Sequence, residues 1–145
     1  MKDRYLHRAK RKNWRELPKE KWWVEGYYAF IDNHHYIYTG NLCNGGLYVV
    51  AERFEIDIDA LCACTGLKDK NGKMIWENDI VSFLDMYSTE NGYSERGCVG
   101  KVVWDDETIS FQVTNRLSAE SYEVLDECLV IGNIFDNPEL LEVRE

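Results

Sequence analysis

The sequence predicts a mainly β protein. Short apolar and aromatic runs are separated by turn-forming residues along the chain, as at Trp22–Ile31, Tyr36–Tyr38 and Cys128–Ile134. Polar and apolar residues alternate at Glu55–Asp59 and again at Ile109–Val113, the period of two expected of half-buried strands. Asn71-Gly72 and Asn91-Gly92 supply the left-handed backbone that tight hairpins need.

In chain order, Arg4–Ala9 is the first expected strand. Lys10–Lys21 is a polar connector, with a helical turn around Arg15-Glu16-Leu17 that Pro18 ends. Trp22–Ile31 is an aromatic strand whose Gly26 marks a bulge or a close backbone approach. Asp32–His35 turns the chain into Tyr36-Ile37-Tyr38, and Asn44-Gly45-Gly46 turns it into Leu47–Val50. Glu55–Asp59 is a further half-buried strand. Asn71-Gly72 then reads as a type I′ turn, because both central residues of that turn need positive φ, and Lys73–Trp76 returns as a strand. Asn78 tolerates the left-handed conformation and breaks the chain before Ile80–Phe83. Asp85–Gly97 is polar and reads as a mobile hairpin loop. Lys101–Trp104 and Ile109–Val113 form a hairpin, with Ile109, Phe111 and Val113 on one face. Cys128–Ile134 is the last strand. Asn137 then caps a short helical turn opened by Pro138.

Thr65-Gly66, Asn71-Gly72 and Glu77-Asn78-Asp79-Ile80-Val81 together resemble the central signature of the YopX-like family of phage and prophage proteins. Asn78 stands where that family usually has glycine. Trp23–Tyr28, His35–Tyr38 and the basic cluster Arg8–Lys12 are similar to the N-terminal pattern of one subgroup, and Val130–Leu141 resembles the closing motif. The resemblance spans nearly the whole chain. It implies an SH3-like barrel and the cytoplasm of an infected or lysogenic bacterium, and it carries no functional residues with it.

At 145 residues the chain suits one structural unit that buries roughly 68–70% of its unfolded surface. The expected division is residues 1–61, a basic arm and β region, and residues 62–145, the SH3-like barrel with its short helical turn. No apolar run approaches a membrane span, and the basic residues 1–21 lack the apolar stretch of a secretory signal. The five cysteines form an odd set without paired spacing, which suits reduced thiols in the cytoplasm. Charge is sharply divided. Residues 1–21 hold nine Lys/Arg against three Asp/Glu, giving +6, and the remaining eight against 23 give −15.

That asymmetry marks a basic arm that either binds nucleic acid or lies on an acidic protein surface. Lys10, Arg11, Lys12 and Arg15 surround Trp14, combining cations for phosphates with a ring for stacking on bases. These five are the candidate nucleic-acid residues. Cys62-Ala63-Cys64, with Cys43 and the His34-His35 pair, is a weak zinc spacing, and on a strand the two cysteines would share one apolar face. No metal or other cofactor is expected. Asp69, Glu77 and Asp79 are explained by turn geometry, without a nucleophile or metal-ligand pattern beside them. The sequence holds no phosphate loop, zinc-protease helix, nucleophile elbow or dinucleotide fingerprint. The expectation is therefore a non-enzymatic phage or prophage accessory protein acting through contacts with a host or phage protein. Exposed strand edges and the divided charge imply a homo-oligomer, and nucleic-acid binding by the arm is the alternative.

Overall fold

The structure, a computed structural model, describes residues 5–42, 48–114, 121–123 and 127–141. The expected turn at Asn44-Gly45-Gly46 and the residue Cys43 lie outside them. The chain divides into two compact units, Met1–Cys64 and Thr65–Glu145.

The first unit is an antiparallel sheet of β1 (His7–Lys10), β2 (Trp23–Ile31), β3 (His34–Leu42) and β4 (Tyr48–Glu55), in the order β4-β3-β2-β1. The first residues of β5 (Cys62–Lys68) pair with the free side of β1, joining His7 to Ala63 and Arg8 to Cys62. Asp32 and Asn33 both have positive φ, so they alone form the tight turn, and His34 and His35 already belong to β3. Ala9, Val24, Ile37 and Ile56 form the core on one face of this sheet, with Tyr28, Phe54 and Leu61 packed against it. Gly26 confirms the expected close approach, because a Cβ there would collide with the Tyr38 carbonyl. Glu55–Asp59 departs from its expected strand. β4 stops at Glu55, and Ile58–Ala60 is a 3-10 turn capped by the Asp57 side chain, which accepts from the Asp59 N–H. The connector contains two such turns, Trp14–Glu16 and Lys19–Lys21, on either side of Pro18.

The second unit places β6 (Met74–Trp76) beside the latter part of β5. Its main sheet has the order β10-β9-β8-β7-β11, built from β7 (Asp79–Thr89), β8 (Gly92–Asp105), β9 (Ser110–Thr114), β10 (Ser121–Glu123) and β11 (Leu129–Asn133). Consecutive strands run antiparallel, and β11 returns to lie beside β7, a Greek-key-like order. The expected barrel is not closed among the described residues: β10 and β11 are the two edges of this sheet. Ile75, Val81, Val102, Val113 and Cys128 form its core.

The structure departs from four further expectations. Only Gly72 has positive φ in the Asn71-Gly72 turn, so it is not type I′. The Gly72 N–H donates to the Asp69 carbonyl and the Asp69 side chain holds Asn71 and Lys73, which favours a type I turn followed by a left-handed glycine. Asp85–Gly97 is no loop: β7 and β8 stay in register from Ile80↔Lys101 to Thr89↔Gly92. Ile109 leaves the strand face for the turn, with φ 53 and 75% exposure. Asn78 does adopt the expected left-handed conformation, at φ 69. The 3-10 turn Pro138–Leu141 follows Asn137, but the Asn137 side chain bends back to accept from the Asn133 N–H instead of capping forward.

Candidate functional site

Strand register decides which side chains share a surface. His7, Ala9, Val24, Tyr28, His35 and Ile37 fall on the core face of the first unit, because cross-strand partners share a face. The opposite, outer face receives Arg8 and Lys10 from β1, Trp23 and Tyr27 from β2, Tyr36 and Tyr38 from β3, and Arg53 and Glu55 from β4. Its aromatic rings are half-buried, and Arg53 beside them is exposed.

At one end of this face, cations and indole rings interleave. Lys10 is only 5% exposed, and its Nζ lies 4.1 Å from the ring centre of Trp14, 4.8 Å from Trp22 and 5.6 Å from Trp23. Burying an ammonium is costly unless something replaces its water, and here three π faces contribute. Arg8 lies over Trp23 at 4.9 Å, Arg15 over Trp14 at 4.5 Å and Lys19 over Trp22 at 5.9 Å. Trp14 and Trp22 meet edge to face, and the Trp22 Nε1–H donates to the Leu17 carbonyl. The two 3-10 turns set these indoles against β1.

At the other end, the Arg53 guanidinium lies 4.5 Å from the centre of Tyr36. A side-chain hydrogen bond with Tyr38, followed by the electrostatic contributions of Tyr36 and Tyr38, pushes its pKa further up. Glu55 accepts from His34 Nδ1 at 3.0 Å and from Lys12 Nζ at 3.1 Å. These bonds, His34's first and Lys12's second, hold its carboxyl below the ordinary glutamate value.

The five residues singled out from sequence therefore divide three ways. Lys10, Trp14 and Arg15 meet in the indole cluster. Lys12 pairs with Glu55, and Arg11 turns to the core side, 4.0 Å over Phe54. His34 and His35 separate to opposite faces, His34 to Glu55 and His35 to a 2.6 Å hydrogen bond with Tyr28. Cys62 and Cys64 are both buried on one side of β5. Tyr36, Tyr38, Arg53 and Glu55 were missed as a group. The alternation of β3 signals its aromatics, but nothing local signals that Arg53 lies across from Tyr38.

The signature carboxylates serve the backbone. Asp69 Oδ1 accepts from the N–H groups of Asn71 and Lys73, each at 2.9 Å, and Oδ2 accepts from Val130 at 3.0 Å. Burial pushes its pKa up, but the bonds from Val130, Lys73 and Asn71 outweigh that and leave it below the ordinary aspartate value. Asp79, buried, accepts from the Trp76 N–H at 2.8 Å, and Thr65 Oγ1 donates to the Ile75 carbonyl at 2.7 Å.

A family model described as YopX protein matches residues 8–142. The chain belongs to the YopX family. The match takes in β1 from Arg8 onward, the connector, the Asp69–Asp79 turns and the closing Val130–Leu141 segment. A YopX-family chain can thus carry its signature as hydrogen-bonded turns. The fold is also similar to the crystal structure of protein EF1440 from Enterococcus faecalis, with a TM-score of 0.50 and 24% identity over 95% of this chain and 97% of that one. No curated protein matches the chain. Among the described residues no helix is long and apolar enough to cross a membrane.

Proposed function

We propose that this YopX-family chain is a non-enzymatic phage or prophage accessory protein that binds a host or phage protein in the bacterial cytoplasm through the outer face of its first unit. The observation that carries this reading is the composition of that face: Trp, Tyr and Arg, the residue types that dominate binding hot spots, stand side by side on one sheet. Its cations are already held against rings or carboxylates, which lowers the ordering cost of association. The SH3-like character of the second unit belongs to the same reading, supported by the family signature and by the return of β11 beside β7.

Nucleic-acid binding is the second reading, favoured by the ring-and-cation cluster of Lys10, Trp14 and Arg15. It ranks lower because Lys10 is buried and Arg11 lies on Phe54, which removes two cations from contact with phosphates. Fluorescence anisotropy with single-stranded DNA, duplex DNA and RNA separates the readings. The protein-contact reading expects flat anisotropy at low salt, and a crosslinked partner that disappears with Tyr38→Ala/Arg53→Ala. Anisotropy that rises with a steep salt slope, and is lost on Lys12→Glu/Arg15→Glu, would put nucleic acid first.

A further inference from the structure

β7 and β8 continue as a two-stranded ribbon beyond the sheet that holds them. β11 pairs with β7 only over Asp79–Ser82, and β9 pairs with β8 only over Lys101–Asp105. Among the described residues, 83–89 and 92–98 have only each other as strand neighbours. A two-stranded ribbon has no core of its own, and its edges are open to pairing.

The two faces of the ribbon differ. One carries the Asp85–Arg96 ion pair at 2.8 Å. The other carries Leu84, Met86 and Tyr93, which are 66%, 63% and 76% exposed and share a face because Met86 pairs with Glu95 and Ser88 with Tyr93. A Cβ added at Gly97, opposite Leu84, would meet nothing within 4 Å, so this face is open. The ribbon is acidic, with Asp85, Glu90 and Glu95 against Arg96.

We infer that this stripe docks on the connector of a second copy of the chain, and that the exchange is reciprocal across a two-fold axis. Charge and chemistry select that occupant. The connector exposes Lys12, Arg15, Lys19 and Lys21 against Glu16 and Glu20, opposite in sign to the ribbon. It also presents half-buried Trp14 and Trp22, suited to a Leu and Met stripe through apolar and sulfur–aromatic contact. A two-fold arrangement uses each surface twice and closes the assembly.

Sedimentation equilibrium at low and high salt tests this. The wild-type chain is expected to dimerise, and more weakly as salt rises. Leu84→Thr/Met86→Thr replaces exposed side chains only and leaves the charge unchanged, so it should keep its circular dichroism while weakening the dimer at least about tenfold, about 1.4 kcal/mol. Glu90→Lys/Glu95→Lys and Lys19→Glu/Lys21→Glu should each be monomeric alone, and an equimolar mixture should restore the dimer, because both contacts then join opposite charges. A wild-type monomer at low salt, a dimer untouched by Leu84→Thr/Met86→Thr, or a mixture that stays monomeric would each overturn the inference. Association of the ribbon with a different protein, and not with a second copy, would overturn it too.

Discussion

The two units use polar residues in opposite ways. In the second, charge is turned inward on the backbone: Asp69 and Asp79 accept N–H groups from turns beside an aliphatic core. In the first, the core is small and charge is spread across the outside of a sheet, stacked on rings. The carboxylates of Asp69 and Asp79 are thus scaffold here, and the face proposed for partner contact is in the other unit, on residues that local patterns only half reveal. Surface aromatics held with cations suit the contact proposed above, while one buried acid with three N–H partners, Asp69, fixes a turn.

Substitutions can break or sharpen that contrast. Asp69→Ala strands three backbone donors and should cost about 3 kcal/mol or more, seen in urea denaturation. Hydrogen exchange should show the loss first at Val130 and Lys73, in the second unit. Gly26→Ala strikes the first unit, where the new methyl meets the Tyr38 carbonyl, and should cost about 2–3 kcal/mol by the same denaturation measurement. Lys10→Met keeps the length of the side chain but removes the cation from its indoles; a loss of about 1–2 kcal/mol and a changed tryptophan emission are expected. Ile109→Asn should stabilise by about 1 kcal/mol in thermal unfolding, because a β-branched residue is strained at positive φ and this one is exposed.

Acid titration gives the smallest effect. Asp69 is held below its ordinary value of 3.8, so its contribution is complete above that pH and is lost as pH falls through the lower folded value. Stability should therefore drop below about pH 4, and Asp69→Asn should flatten the part of that drop due to this group. A drop of equal size in Asp69→Asn would show that other carboxylates govern acid unfolding.

Strand composition and turn chemistry made the β class legible, along with the left-handed Asn78 and the close approach at Gly26. What escaped depends on distance along the chain. The bond from Val130 to Asp69 spans 61 residues, and no local pattern encodes it. The indole shell of Lys10 needs β1 in register with β2 and two 3-10 turns in place, so the sequence showed only a run of bases near tryptophans. The ribbon was misread because its β8 half is exposed on both faces over 92–97 and has no apolar alternation to betray it. Ile109 kept the alternation but fell in the turn, where backbone closure overrides the pattern.

The burial of Lys10 has a chemical consequence. An amine-reactive ester acylates only a free, solvated ε-amine, so Lys12, Lys19 and Lys21 should be tagged quickly and Lys10 left intact. Reaction at Lys10 then waits for the indoles to part. Its slow acylation, followed by mass spectrometry, would serve as a native clock for the opening of the first unit, with no engineered label.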